Sequence, residues 1–212
     1  MINPRKFKAP FITQEEAWEK ADTIRRKYWS CDKLPIEVEE ILWEFDIQLE
    51  PIPSLKIDND IDALLMGDLS RIIVDSGEYM DERMLNRMRF SIAHELGHFV
   101  LHRDLYQNIQ HGSVEDWIEF LQSIPEEQYN YLEQHAYEFA GRLLVPPDRL
   151  KKELTAAIKK AETYGFMDWE KSGDAAREYI ASSICRVFGV SSSVIEKRII
   201  RERYKILPQK KE

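Results

Sequence analysis

Fourteen residues constrain this chain more than any others: Arg89-Phe90-Ser91-Ile92-Ala93-His94-Glu95-Leu96-Gly97-His98-Phe99-Val100-Leu101-His102. Within them His94 and His98 stand at i and i+4. On an α-helix such residues lie one turn apart on the same face. Two imidazoles placed that way can hold one tetrahedral metal ion at about 2.0–2.1 Å. Glu95 points about 100° further round the helix. That is a poor direction for a third ligand and a good one for reaching a water on the metal. Metal binding lowers the pKa of such a water toward about 7, and a carboxylate beside it can take the proton. Met84, Met88, Ile92 and Leu96 recur four apart, and Phe99 and Val100 extend the stripe, so the spacing predicts a helix with Asp81 as its N-cap. His102 lies too far along the axis to share an ion with His94. With His111 it reads as a structural or surface residue.

A catalytic zinc site takes three protein ligands and keeps one position open. One known extension of the motif needs Gly at 101 and His at 104, where this chain has Leu101 and Asp104. The other solution is a carboxylate from a later helix. Ser123-x-x-Glu126, with Pro125 in the first turn, starts one, and Pro146-Pro147 stops it after Val145. Its predicted buried stripe is Leu132, Ala136, Phe139, Ala140, Leu143 and Leu144. The small Ala136 and Ala140 would let it approach the histidine helix closely. Glu133 lies at the edge of the stripe, where a buried carboxylate would need a partner. Most helical glutamates reach solvent, so spacing alone leaves Glu133 open between ligand and surface residue. Glu138 faces elsewhere.

Composition bounds the rest. A chain of 212 residues with 43% apolar content can bury a sizeable core, as one domain or one domain with an appendage. A net charge of −8 argues against a protein that coats nucleic acid or anionic membrane. No apolar run approaches the ~18 residues of a membrane span, and the first residues lack the apolar core of a signal peptide. Cys31 and Cys185 have no metal-type spacing and form no disulfide framework. These features give the expectation of a cytoplasmic setting without membrane partners.

Before the motif, residues 1–12 read as a loose lead-in. Thr13-x-x-Glu16 is a capping box for a helix to about Trp29, and Leu34-Pro35 opens a second helix with Val38, Ile41, Leu42 and Phe45 inside. Residues 46–53 alternate and end in prolines, as an edge or first strand does. Residues 62–66 and 70–75 form a hairpin around Gly67. The edge of such a sheet could hold an extended peptide by strand addition. After the motif, Ser113-x-x-Asp116 caps a short helix with Trp117, Ile118 and Leu121, placed to overhang a cleft.

The motif segment, followed by Glu133-x-x-Ala136-x-x-Phe139-Ala140-x-x-Leu143-Leu144-Val145-Pro146, resembles the ImmA/IrrE family of metallopeptidases. Leu34-Pro35, the hairpin and Phe188-Gly189-Val190-Ser191 extend the likeness over roughly residues 14–203. The resemblance implies a gluzincin-like α+β fold, mainly helical with a small antiparallel sheet. The chain as a whole reads as a core over residues 13–147, a C-terminal helical subdomain over 148–204, and flexible ends at 1–12 and 205–212. The resemblance implies His94, His98 and Glu133 as ligands of Zn2+, or of Mn2+ or another divalent ion, with Glu95 as general base and acid. Peptide-bond hydrolysis in a helix-turn-helix transcriptional repressor, under stress or mobile-element control, is the implied activity. Tyr137 departs from the Asn or Asp usual at that place. Tyr106, Tyr131, Tyr137 and His135 are the candidates for contacting the oxyanion or orienting a ligand.

Residues 148–163 read as an amphipathic helix with Leu150, Leu154, Ile158 and Ala161 inside, interrupted at Tyr164-Gly165-Phe166. Two more helices joined by Gly189-Val190-Ser191 outline a helix-turn-helix. From Ser191 onward there are seven Lys/Arg against three Glu. The alternative function is therefore a DNA-binding regulator using Lys197, Arg198 and Arg201 on phosphates. A non-catalytic metal-binding module is another. A packed helical pair with a solvated basic face is the simpler reading, and direct nucleic-acid binding is not expected.

Overall fold

The computed structural model describes residues 7–107, 113–163 and 169–202, the side chains of 169–172 excepted. The expectations for residues 1–6, His111, the interruption at 164–166 and the tail from Lys205 lie outside the described residues. The contacts divide the chain into two compact units, residues 1–31 with 37–143 and residues 32–36 with 144–212.

In the first unit, α1 (Gln14–Tyr28) opens with its capping box. Thr13 accepts from the Glu16 N–H at 3.2 Å, and Glu16 accepts from the Thr13 N–H at 2.7 Å. α2 (Val38–Trp43) buries Val38, Ile41 and Leu42. β1 (Gln48–Ile52), α3 (Leu55–Asn59), β2 (Ala63–Leu65) and β3 (Arg71–Asp75) build a three-stranded sheet in the order β1-β3-β2. The sheet is mixed and not purely antiparallel: β3 pairs antiparallel with β2 and parallel with β1. The chain crosses from β1 through α3, and the second strand of the hairpin, not the first, docks on β1. The hairpin turn closes through the Leu69 N–H on the Met66 carbonyl at 2.9 Å, and its left-handed residue is Leu69 (φ 62°), not Gly67. Burial of the Leu69 side chain and the Asp68 carboxylate on the Ser70 N–H hold that turn.

After α4 (Ser76–Met80), Asp81 accepts from the Arg83 N–H and caps a single 3-10 turn (Glu82–Met84), which runs on into α5 (Leu85–Leu101). The predicted N-cap thus serves the turn ahead of the helix. α5 buries Met88, Ile92, Leu96 and Phe99 of the expected stripe, while Val100 is only half-buried and Met84 falls in the turn before the helix. α6 (Arg103–Tyr106), α7 (Val114–Gln122) and α8 (Glu126–Leu144) follow. Ser113 and Asp116 form a capping box on α7. The Ser123 hydroxyl donates back to the Phe120 carbonyl at 2.6 Å, so it finishes α7 instead of capping α8. Residues 7–12, expected as a loose lead-in, are instead held against α8. Phe7 is buried with Ile124 and Leu132, and the Ala9 N–H donates to the Gln128 Oε1 at 2.8 Å.

In the second unit, α9 (Pro147–Thr163) buries Leu150, Leu154, Ile158 and Ala161. α10 (Trp169–Phe188) kinks at Gly173 and gives way to Gly189, whose φ of 61° ends the helix as glycine does at this place. α11 (Ser192–Arg201) packs on α10 through Val194, Ile195 and Ile199. Arg198 is buried in an ion pair with buried Glu202, which removes it from any phosphate-facing surface. Taking one partner from a buried pair strands the other charge and costs about 3–5 kcal/mol. Arg198→Met should therefore lower the unfolding free energy by about that amount in a denaturant titration. No helix among the described residues is long and apolar enough to cross a membrane.

Candidate metal centre

The two histidines of α5 meet Glu133 of α8. His94 Nε2 lies 3.0 Å from Glu133 Oε2, His98 Nε2 lies 3.3 Å from Glu133 Oε1, and the two Nε2 atoms lie 3.1 Å apart. Around a tetrahedral ion with bonds of about 2.0–2.1 Å, neighbouring donors stand about 3.3–3.4 Å apart. The triangle formed here fits that size with a slight contraction. Two neutral imidazoles gain nothing by aiming Nε2 at Nε2 unless a proton or a cation lies between them. The donor set, two nitrogens and a carboxylate, suits a divalent ion such as zinc.

The electrostatics agree with a cation-binding design. Burial works to raise the Glu133 carboxyl, but hydrogen bonds from His94 and His98 and their charge outweigh it and hold the group well below the usual carboxylate range. Burial opposes charge on His94, yet Glu133 raises its pKa overall.

The two helices can come this close because of Gly97. A Cβ there would sit 3.1 Å from both the Cα and the carbonyl oxygen of Ala136, and 3.2 Å from the Phe139 ring. Backbone cannot move aside as a flexible side chain can. A side chain at Gly97 would push α8 away one turn beyond Glu133. Gly97→Val should destabilise the fold by about 1–3 kcal/mol, the usual cost of overpacking, in a thermal or denaturant titration.

Glu95 sits beside this triangle. Its carboxylate and the two imidazoles offer donor atoms within 4.8 Å of one another. It is less suited than Glu133 to bind an ion, because its Oε2 already accepts the Leu65 N–H at 2.7 Å. Burial raises the Glu95 carboxyl, partly opposed by His98 and His94. A carboxyl shifted up toward neutrality is suited to taking and giving a proton.

A cleft of about 610 Å³ opens over these residues, lined among others by Ala63, Leu64, His94, Glu95 and Glu133. β2 forms one wall. The Asp75 N–H bonds the Asp62 carbonyl, and the Met66 N–H bonds the Arg71 carbonyl. By the period of two, Ala63 and Leu65 turn their backbone groups to the outer edge. Leu65 is engaged on both sides, by Glu95 and by the Trp117 Nε1–H on its carbonyl at 2.9 Å. Fully buried Trp117 thus closes α7 over one end of the edge. Ala63 is the position at which a further strand could pair.

The other sequence candidates fall in different places. Tyr106 is buried and lines the cleft, with its ring centroid 6.0 Å from that of His98. Burial, with Glu95 and Glu133 adding, raises its pKa well above the ordinary tyrosine value. Tyr131 and Tyr137 are not among the residues lining the cleft: Tyr131 is half exposed, and the Tyr137 ring packs 5.0 Å from that of Phe90. His135 is buried and lies 3.3 Å from His102. Glu138 accepts the Trp18 Nε1–H, away from the histidines.

Tyr129 escaped the sequence reading, and His102, read there as structural or surface, stands closer to the site than expected. Tyr129 lines the cleft, and burial, followed by the nearby Glu133 and Glu95, raises its pKa. It stands at i−4 from Glu133, so the spacing rule that paired the histidines would have found it. His102 is buried, with Nδ1 3.0 Å from His98 Nδ1. Burial, followed by the nearby His98 and His135, lowers its pKa to about 2, so it is neutral. It too stands at i+4, from His98.

Family models match residues 79–199, more than half of the chain, to a peptidase family described as the IrrE N-terminal-like domain. No curated protein matches the chain. The matched span contains α5 and α8 with His94, Glu95, His98 and Glu133. The chain therefore belongs to the IrrE N-terminal-like peptidase family.

Proposed function

We propose that this protein is a zinc-dependent endopeptidase whose substrate is a protein, with a helix-turn-helix transcriptional repressor as the leading candidate. The observation that carries the reading is the approach of three donor atoms from two helices to within 3.0–3.3 Å of one another, with Glu95 beside them. When bound there by His94, His98 and Glu133, a divalent ion supplies Lewis-acid polarisation of a carbonyl and lowers the pKa of a water toward about 7.

Glu95 takes the proton from the attacking water with the oxygen not held by Leu65, then delivers it to the leaving amine nitrogen. The Leu65 N–H fixes the direction of the carboxylate during both transfers. Tyr106, which lines the cleft, would meet charge developing on the carbonyl oxygen. An extended peptide would pair with β2 at Ala63, since Leu65 is already taken.

Burial of Arg198 speaks against the DNA-binding alternative. Both cysteines are free, in keeping with action in the cytoplasm. The test is cleavage of the repressor encoded nearest the gene by the zinc-loaded protein, read by gel and mass spectrometry. A single chelator-sensitive cut is expected. A loaded enzyme that cuts neither that repressor nor unfolded protein substrates would contradict the endopeptidase reading.

A further inference from the structure

His98 has two ends, and the metal centre uses only one. Its Nε2 faces His94 and Glu133. Its Nδ1 lies 3.0 Å from Nδ1 of His102, whose Nε2 lies 3.3 Å from Nδ1 of His135. The His135 ring also lies near the backbone of Ile12 in the lead-in segment. His102 and His135 are 1% and 9% exposed, so water is not their main partner. Three imidazoles from the end of α5 and from α8 thus form one line leading away from Glu133.

Only one arrangement of protons satisfies this line. A His98 Nε2 that donates its lone pair to a cation carries no proton, so Nδ1 carries it. The Nδ1 of His102 must then accept, which places the His102 proton on Nε2. That proton points at His135 Nδ1, which accepts in turn and leaves the His135 proton on Nε2. Any other tautomer of His102 sets two N–H groups, or two lone pairs, against each other in a buried place, at a cost of about 1–3 kcal/mol. Ligating histidines are ordinarily steadied by a carboxylate, a carbonyl or a water. Here a neutral imidazole accepts the ligand's proton and hands the bond on.

We propose that His102 and His135 are positioning residues that lock His98 in its Nδ1–H tautomer. This rests on the reading of His98 as a metal ligand.

The experiment uses the full-length 15N-labelled protein with and without Zn2+. Two-bond 1H–15N correlations report which ring nitrogen of each histidine is protonated. In the zinc form His98 should carry its proton on Nδ1, and His102 and His135 on Nε2. A proton on Nδ1 of His102 would overturn the proposal. In competition with a chromophoric chelator, His102→Phe should bind Zn2+ about 10- to 100-fold more weakly, the usual loss for such a partner, and His102→Gln, which keeps an acceptor in reach, should recover most of it. A folded His102→Phe with the parent's affinity would also overturn it. If His102→Phe does not fold, the spectrum of the unmodified protein still decides. A parent that takes up no zinc defeats the metal-centre reading itself, whereas zinc binding with other tautomers defeats only the relay.

Discussion

Glu95→Gln should keep the metal and lose proteolysis, with kcat reduced by about 10²- to 10⁴-fold, the range associated with a positioned general base. Glutamine is nearly the same shape and still offers an oxygen to the Leu65 N–H, which Glu95 holds at 2.7 Å. The three donors on His94, His98 and Glu133 are untouched, so zinc should remain. What glutamine cannot do is accept a proton from water at neutral pH. The variant should also fold well. Burial raises the Glu95 carboxyl above its ordinary 4.5, so ionising it inside the metal-free fold loses stability as pH rises from that value. Glutamine removes that loss, and the metal-free variant should be at least as stable as the parent above about pH 4.5. Cleavage at the parent's rate would remove Glu95 from the role assigned to it.

Glu133→Ala should lose both metal and cleavage. Disturbing a group behind a ligand costs about 10- to 100-fold in metal affinity, so deleting a ligand should cost more than about 100-fold. The loss should not come from unfolding. Ala136 and Ala140, not Glu133, fill the fully buried part of α8, and Glu133 itself is only partly buried. Removing it also strips His94 of the group that raises its pKa and leaves burial to lower it. The metal-free variant should thus show a lower His94 pKa in an NMR titration, a readout independent of activity. Chelator competition that finds parent-like zinc affinity in Glu133→Ala would exclude this carboxylate from the ligand set.

The pair of variants separates two functions that one motif brings together. Glu95 and the histidines could be read from a single helix, because a period of 3.6 residues fixes which neighbours share a face. Glu133 could not. Its closeness to His94 depends on α8 approaching α5 at Gly97, and a stripe of apolar residues shows that a helix is buried but not against which partner. The family resemblance supplied that link, and the contact at Ala136 gives its physical basis. The same limit explains the sheet. Alternation in residues 46–53 marked a strand, but nothing local encodes that β1 runs parallel to β3. His102 and His135 are 33 residues apart and meet only through the same helix pair. The lead-in segment looked loose because it has no periodicity, yet Phe7 finds a hydrophobic site made by Ile124 and Leu132.

Crystals of the zinc-soaked protein, measured on both sides of the zinc absorption edge, test the central claim most directly. A single anomalous peak is predicted, about 2.0–2.2 Å from His94 Nε2, His98 Nε2 and a carboxylate oxygen of Glu133. A peak elsewhere, or zinc held by the two imidazoles with Glu133 outside bonding distance, would contradict it.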